Sequence, residues 1–174
     1  KLTKQLNKAN RHGDHMTLHN IFNQFKAKKK KKRREWCEKK EYSFNALRLA
    51  EQTYFELYTL VRKSKLNVGK KLVRTYMLQQ EIEEKILRAI CAGFHANLAY
   101  FNGRIHDSNV YKLVEHNQEA FIHNESVLYV LGENDLDKRF LIFGDLIRND
   151  KLYMKNFTPI NLDMLAEFSH KHYS

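Results

Sequence analysis

The spacing of apolar residues changes near residue 100, and this change constrains the fold more than any other feature of the chain. Before it, apolar residues recur at intervals of three and four, the periodicity of amphipathic helices. After it, short runs rich in Val, Ile, Phe and Tyr alternate with polar segments, which is typical of strands. Helices followed by strands indicate the α+β class. We therefore predict a helical domain at residues 1–100 and a β domain at residues 101–174.

The first domain is predicted to contain three helices. The first begins at Asp14, which we interpret as its N-cap, and the second extends from about Ser43 to Ser64. A connection at residues 65–71 leads to a third helix over about residues 73–100. Gly93 within that helix costs roughly 1 kcal/mol relative to Ala. Close packing against a neighbour is therefore expected at Gly93.

The second domain is predicted to contain four strands and a short C-terminal helix. Asn102-Gly103 is interpreted as a turn before the strands, and Arg148-Asn149-Asp150 as a hairpin turn between the last two. Several short antiparallel strands suit a small barrel. The predicted strands are Val110–Val114, Glu119–His123, Phe140–Ile147 and Leu152–Phe157, and the helix contains Leu162, Leu165 and Phe168.

The positive charge of the chain is concentrated in one segment. The sequence has 31 Lys and Arg against 20 Asp and Glu, a formal charge of +11, and eight of the nine residues from Lys26 to Arg34 are basic. Because like charges at this density repel, we predict a mobile, solvated loop or a frayed helix end. A phosphate-binding loop and a nuclear localisation signal are the functional interpretations. A surface insertion without function is the alternative.

Several other classes of protein do not fit the sequence. No stretch approaches the roughly 20 apolar residues of a membrane span, and we expect no membrane partner. Two cysteines, Cys37 and Cys91, are too few for a disulfide framework and favour a reduced, intracellular setting, with Cys37 buried and inert. The chain begins with Lys1 rather than Met, so we expect it to be a fragment.

No catalytic or metal site is evident in the sequence. Residues 68–71 (VGKK) resemble a P-loop but have neither the earlier Gly nor the Ser or Thr after the Lys that such a loop needs. His12, His15 and His19 lie close together without the further ligands of a zinc site, and His15 is expected to pack or hydrogen-bond at the start of its helix. We therefore expect no catalysis, metal or cofactor in this chain by itself.

Six short blocks resemble the C-terminal region of DEAH-box RNA helicases, in the same order. The second block is a Trp-Cys pair that precedes a helix carrying Leu47, Ala50 and Leu57. Any one block is weak evidence, whereas six in order over nearly the whole chain are specific. The blocks are Gly13–Phe22, Trp36-Cys37, Ala89–Ala99, Ile122–Leu128, Lys151–Thr158, and Leu165–Phe168 with Tyr173.

The resemblance implies a helical "ratchet" bundle, including the basic loop at residues 26–34, followed by an OB-fold. In that family the two modules close over single-stranded RNA opposite an ATP-dependent motor. Motor and winged-helix domains would then lie upstream in the same chain, with ATP and Mg²⁺ bound there and not here. G-patch-type protein activators become possible partners. The resemblance is also compatible with a nuclear location and with splicing or ribosome assembly.

The resemblance and the strand pattern together define a set of candidate RNA-binding residues. Lys151 and Lys155 occupy the family's basic positions, and Tyr153 lies between them on the same face of an extended run. Structural alternatives remain open, including barrel core for Tyr153 and a buried hydrogen bond for His123. The full set is Lys151, Lys155, Tyr153, Lys112, His123, Ser126 and Arg48.

A protein-interaction platform is the alternative function. This chain has Asn124-Glu125 where the family has Pro-Ser, which places an acidic group on the expected RNA face. Residues 91–174 carry a net charge of −3, which also disfavours nucleic acid as the main partner of that half. In this second interpretation the OB-fold and the basic loop bind helicase cofactors and have little direct contact with RNA.

Overall fold

The computed structural model describes residues 13–64, 79–106, 108–130 and 140–169 of the 174-residue chain. These residues form two compact units. The described residues between Leu18 and Ser64 form the helical unit, and those before and after it form the barrel unit. The connection predicted at residues 65–71 and the predicted start of the third helix at Val73 lie outside the described residues. The domain division near residue 100 stays a prediction.

The helical unit is built from three α-helices and one short 3-10 helix. Ser43 caps the third α-helix, because its hydroxyl accepts a hydrogen bond from the Ala46 amide at 3.2 Å. The predicted second helix, from Ser43 to Ser64, is thereby confirmed. The elements are α1 (Asp14–Ala27), the 3-10 helix (Lys30–Lys32), α2 (Arg33–Lys40) and α3 (Phe44–Lys63), and the division between the units falls within α1.

The basic run is more ordered than the sequence predicts. Lys28–Lys32 are exposed, but Arg33 is only 9% exposed and donates to Glu51 at 2.7 Å. The same guanidinium donates to the carbonyls of Lys26 and Lys28, both at 3.1 Å. The interpretation of the whole run as a solvated loop is therefore wrong. One of its arginines folds the run into a turn, because a planar guanidinium can bind several acceptors at once.

Aromatic side chains surround the buried centre of the helical unit. Phe25 is 1% exposed, with ring centroids 6.4 Å from Trp36 and 6.2 Å from Phe44. Cys37 is fully buried beside them, as predicted, and burial raises the pKa of its thiol above the ordinary range. Since the thiolate is the reactive form, this environment suits an inert cysteine.

The barrel unit contains a closed five-stranded barrel and three helices. The strand order is β1-β2-β3-β5-β4, in which β3 and β5 are parallel and the other neighbours antiparallel. The elements are α4 (Gln79–Gly93), β1 (Leu98–Ile105), β2 (Ser108–Leu113), β3 (Glu119–Ile122), α5 (Val127–Val130), β4 (Phe140–Arg148), β5 (Leu152–Ile160) and α6 (Leu162–Ser169). The four predicted strands, the hairpin between the last two and the C-terminal helix are confirmed, as is the α+β class.

The sequence does not predict the first strand. The third helix ends at Gly93 rather than near Tyr100, and residues 98–105 pair with β2 and β4. A short apolar run in a sequence fits a helix or a strand equally well. Here the pairing with β2 and β4 makes this run a strand. The turn expected at Asn102-Gly103 is instead an irregularity within β1, where Gly103 adopts a φ of +115°. The close packing expected at Gly93 is also wrong, since an added Cβ there meets no atom within 4 Å.

Two apolar clusters stabilise the barrel unit. The barrel interior contains Tyr111, Leu141, Met154 and Phe157, all fully buried, and the second cluster joins α4 and α6 to the outside of the barrel. Each fully buried large side chain contributes about 1.5–3 kcal/mol to folding. The second cluster contains Met16, Leu87, Cys91, Leu98, Ile142, Ile160 and Met164.

The start of α1 is bound to the barrel by a buried carboxylate. Asp14 accepts hydrogen bonds from the Ser126 hydroxyl at 2.8 Å, the Val127 amide at 2.8 Å and the Phe157 amide at 3.1 Å. Asp14 is thus the first residue of α1 and satisfies donors of the barrel, and its interpretation as an N-cap is wrong. Gly13 precedes it with a φ of +97°, and an added Cβ would lie 2.6 Å from the Phe157 carbonyl oxygen.

The His15 side chain lies where α1 meets β5. Its Nδ1 lies 2.8 Å from the Thr158 hydroxyl, and its ring centroid is 5.6 Å from that of Phe94. Burial lowers the pKa of His15, although Asp14 and Asp145 oppose this effect. The prediction that His15 packs and hydrogen-bonds at the start of its helix is confirmed.

Among the residues that the structure describes, no helix has the length and apolar character needed to cross a membrane.

Candidate nucleic-acid interface

A pocket of about 300 Å³ opens on the outside of the barrel. It lies between the turn that joins β1 to β2 and the turn that joins β4 to β5. In OB-folds the loops at these two positions, together with the face of the second and third strands, form the binding surface for oligonucleotides or oligosaccharides. The lining residues are Ser108, Asn109, Phe121, Ile122, His123, Asn124, Tyr129, Asn149, Asp150, Lys151 and Tyr153.

Three of the predicted RNA-binding residues line this pocket together. The Lys151 ammonium lies 4.4 Å from the centre of the Phe121 ring. The Tyr153 ring is 6.2 Å from the Phe121 ring and 5.9 Å from the His123 ring, in a T-shaped arrangement with the latter. The pocket therefore combines a cation with three flat rings, which is the combination that binds the phosphates and bases of single strands.

Strand β5 places these side chains by its alternation. Met154 is fully buried in the barrel interior and Leu152 packs against the same cluster, so Tyr153 points outward with Lys151 and Lys155. This part of the face assignment is confirmed. The alternation changes at Asn156, whose φ is +54°, and Phe157 joins Met154 in the interior. The expectation that Phe157 returns to the lysine face is therefore wrong.

Asp150 fixes the tyrosine of the pocket. The Tyr153 hydroxyl donates to the Asp150 carboxylate, with distances of 3.2 and 3.5 Å to the two oxygens. Desolvation, with a contribution from this carboxylate, raises the pKa of Tyr153, so the phenol stays protonated at neutral pH. A neutral phenol does not repel phosphate, and its ring remains available for stacking.

Lys155 carries an ion pair that the sequence suggested only indirectly. Its ammonium lies 2.6 Å from the Glu125 carboxylate, and this hydrogen bond lowers the pKa of Glu125. The Glu125 amide also donates to His123 Nδ1 at 3.3 Å. Glu125 therefore neutralises the lysine that is closest to it, whereas Lys151, in the turn immediately before β5, lies over an aromatic ring.

The remaining predicted residues lie elsewhere. Lys112 pairs in register with Glu119 on the outer face of β2 and β3, outside the pocket lining. Ser126 is 2% exposed and donates to Asp14, so its hydroxyl serves the fold and is not accessible to RNA. Arg48 is exposed on α3 in the helical unit.

Phe121 and Asp150 belong to the site but are not identified by the sequence. Phe121 lies two residues from Glu119 and two residues from His123, so the alternation of a strand predicts that the three share a face. This shared face is the sequence signal that could have identified Phe121. The sequence around Asp150 predicts only a turn. The hydrogen bond between Asp150 and Tyr153 becomes evident only in the folded structure, where β5 follows that turn. Within the described part of the chain, no three His, Cys, Asp or Glu side chains come close enough to hold a metal ion.

The comparison with known protein families agrees with this geometry. The family described as the oligonucleotide/oligosaccharide-binding (OB)-fold matches residues 86–173, which is half of the chain. The chain belongs to this OB-fold family, in the form found at the C-terminus of DEAH-box helicases. The fold and the family resemblance inferred from the six sequence blocks are confirmed.

Individual relatives point to the same class. The chain is 29% identical to "Probable ATP-dependent RNA helicase DHX35" from Homo sapiens over 161 residues, 90% of this chain and 20% of the relative. It is 26% identical to "Pre-mRNA-splicing factor ATP-dependent RNA helicase prp22" from Schizosaccharomyces pombe, over 91% of this chain and 12% of the relative. A similar match to "ATP-dependent RNA helicase DHX33" from Drosophila melanogaster has 26% identity and covers 20% of that protein. The chain thus spans about a fifth or less of the relatives it matches.

Proposed function

We propose that this chain is the C-terminal accessory module of a DEAH-box ATP-dependent RNA helicase and that it grips single-stranded RNA. The observation that carries the proposal is the pocket between the two loops of the barrel, where Lys151, Phe121 and Tyr153 converge. The match to proteins named as ATP-dependent RNA helicases over about nine-tenths of the chain supports the same function.

RNA would be held by its backbone and by one or two unstacked bases. Lys151 is exposed and can move from the Phe121 ring to a phosphate. Tyr153 and His123 present ring surfaces on which a base can stack. Phosphate contacts carry no sequence information, and a motor that moves along RNA requires such sequence-independent affinity.

The motor activity belongs to the part of the protein that this chain does not include. We propose that domains with ATP and Mg²⁺ lie upstream in the same polypeptide, because the relatives named as ATP-dependent helicases are at least five times longer than the matched region. A nuclear location is proposed from the splicing-factor name of one relative and from the run at Lys26–Arg34. G-patch-type activators are proposed as partners of the full protein.

The direct test measures RNA binding by the 174-residue chain with Lys151→Ala and Lys155→Ala, singly and together. We expect affinity for two unrelated RNA oligomers to fall alike, and Lys151→Ala to have the larger effect because Lys155 is already paired with Glu125. Lys85→Ala, on the exposed side of α4, is the matched removal of one charge. Melting curves check the fold, which exposed substitutions change by about 0.5 kcal/mol or less. A double variant that folds and binds both oligomers as tightly as the wild type would reject RNA binding at the barrel.

The Lys155–Glu125 ion pair favours a second candidate, a platform for helicase cofactors. An acidic group 2.6 Å from a basic one weakens a phosphate site but suits a polar protein interface. In that case the double lysine variant would retain RNA affinity and lose binding to a G-patch-type activator in the full-length helicase. Measuring both RNA and activator binding for the same variants separates the two functions.

A further inference from the structure

Besides its rings and its lysine, the barrel pocket is lined by three side-chain amides. They come from three separate segments: Asn109 near the start of β2, Asn124 in the turn after β3, and Asn149 in the turn between β4 and β5. An amide carries both donors and an acceptor but no charge. A phosphate offers only acceptors, whereas the edge of a base offers donors and acceptors side by side. Three amides in one pocket therefore match a base better than a phosphate.

The amide of Asn109 is held in one orientation. Asn109 is 2% exposed, and Arg104, its partner in register on β1, donates from Nε to Asn109 Oδ1 at 3.0 Å. Because a guanidinium can only donate, the oxygen of the amide faces Arg104 and the NH₂ group faces away from it. A side chain that is already ordered loses little conformational entropy when a ligand binds. Asn109 therefore forms a fixed polar wall of the pocket.

The other two amides are exposed and are carried by hydrogen-bonded turns. The turn that contains Asn124 is closed by a hydrogen bond from the Ser126 amide to the His123 carbonyl at 3.0 Å. In the turn between β4 and β5, the backbone amide of Asn149 donates to the Lys151 carbonyl at 2.9 Å. The backbone positions of both asparagines are thus fixed, while their side chains are accessible to a ligand at the pocket.

The pairing rules of side-chain amides indicate which base fits. Asn pairs with N6 and N7 of adenine through two hydrogen bonds, whereas guanine is bound mainly by Arg or Lys and cytosine by Asp or Glu. In this pocket Lys151 lies over the Phe121 ring, and Asp150 accepts from the Tyr153 hydroxyl. The three amides remain for the edge of the base. Stacking on the rings beside them favours a purine, because its flat surface is larger.

We propose that this pocket takes one unstacked base of the bound strand and prefers adenine, with Asn124 and Asn149 hydrogen-bonding its edge beside the wall formed by Asn109. The proposal rests on the proposed function, because the strand is first bound at the barrel. Lys151 supplies a contact to phosphate that is independent of sequence, and the amides add a preference at one position. Asn124 stands where the helicase family has Pro, so the preference is expected of this chain rather than of the whole family.

The test measures the affinity of the 174-residue chain for three RNAs of six nucleotides. They are hexauridylate, the same strand with one central adenosine, and the same strand with purine riboside at that position, which keeps the purine ring but lacks the N6 amino group. Salt of about 0.2 M reduces the contribution of the exposed lysines of the helical unit. We expect the adenosine strand to bind about fivefold to tenfold more tightly than hexauridylate, as for one bidentate pair, and the purine riboside strand to lose most of that gain.

Variants assign the preference to the amides. The double variant Asn124→Ala/Asn149→Ala should bind the adenosine strand no more tightly than hexauridylate. Lys151→Ala should instead weaken both strands alike and keep the preference, which distinguishes a failure of this proposal from a failure of the proposed function. Asn102→Ala, exposed on β1 and outside the pocket lining, is the matched removal of one amide and should keep both the affinity and the preference. Melting curves check the fold of each variant.

Four results would overturn the proposal. Equal affinity of the wild type for the adenosine strand and hexauridylate would leave the pocket without a base preference. Equal affinity for the adenosine and purine riboside strands would assign the preference to stacking alone. A preference that survives in the double asparagine variant would place its source outside these amides. AMP that binds as tightly as the adenosine strand would assign the pocket to a free nucleotide. The first three results leave the proposed binding of RNA through Lys151 and Lys155 untouched.

Discussion

The barrel unit and the helical unit carry opposite charges, and they hold their basic side chains differently. The described residues of the barrel unit include seven Lys and Arg against eleven Asp and Glu, whereas the helical unit has thirteen against five. In the barrel, Lys155 is paired with Glu125 and Lys151 lies over Phe121, at the edge of a shaped pocket. In the helical unit five consecutive lysines are exposed.

This difference predicts two separate contributions to the proposed binding of RNA. A pocket with few charges and several rings can orient a strand but attracts it weakly from a distance. A dense cluster of lysines attracts any polyanion and steepens the dependence of affinity on salt. We therefore expect the helical unit to dominate non-specific affinity and the barrel to determine how the strand is held.

The first prediction concerns the buried carboxylate that the barrel unit depends on. Asp14→Asn should destabilise the fold by about 3 kcal/mol, because one buried charged group accepts three hydrogen bonds. A destabilisation of this size lowers Tm by roughly 10 °C in a chain of this length. Thermal unfolding followed by circular dichroism measures it, with the exposed Asp163→Asn as the control. An equal Tm for both variants would mean that Asp14 contributes no more than a surface residue.

The second prediction concerns the exposed lysines of the helical unit. Replacing Lys28–Lys32 by Gln should flatten the plot of log affinity against log salt by about 0.7 for each phosphate that these lysines bind in the wild type. Stability should change little, because these side chains are exposed and Arg33, which folds the turn, is kept. Titrations at four salt concentrations measure the slope. An unchanged slope would assign the run to localisation or to a surface insertion, and the helical unit would then not dominate non-specific affinity.

These first two variants also show where sequence reasoning suffices and where it does not. The sequence correctly singles out Asp14, but a local rule assigns it to its own helix. Its actual partners are 112 to 143 residues away, and only the closed barrel brings them near. The prediction that the basic run is solvated considers only the repulsion between like charges. Arg33 does not follow this prediction, because it pairs with Glu51 on the next long helix.

The strands also show what sequence reasoning can and cannot predict, here over a few residues. Periodicity predicts four of the five strands, and the outward face of Tyr153 follows from the burial of its neighbours. The alternation breaks at Asn156, because a residue with positive φ reverses the faces and sequence patterns carry little sign of it. Strand β1 escapes prediction because its apolar residues continue the helical pattern of α4. The sequence therefore predicts the part of the candidate site on β5 but not its opposite wall, Phe121.

The third prediction concerns the ion pair between Lys155 and Glu125 in the barrel unit. Glu125→Gln should release Lys155 for phosphate, raise affinity for RNA about twofold to fivefold and steepen the salt dependence by about 0.7. Glu115→Gln, an exposed carboxylate in the turn between β2 and β3, removes the same charge without freeing a lysine. If both variants bind equally well, the gain comes from net charge alone. A lower affinity of Glu125→Gln would contradict the geometry of the pair.

The last prediction uses pH to measure how the burial of His15 affects the stability of the barrel unit. Burial lowers the pKa of His15, while Asp14 and Asp145 oppose the shift only in part. The unfolded chain therefore takes up this proton more readily, with a pKa of about 6.5, and stability falls as the pH drops below that value. We expect Tm of the wild type to decrease more between pH 7.5 and 5.5 than Tm of His15→Gln, whose side chain can still hydrogen-bond Thr158. Because the chain contains other histidines that both variants share, the difference between the two curves isolates His15. Parallel curves would show that the His15 ring binds its proton equally well in the folded and unfolded chain, so that burial does not penalise its charge.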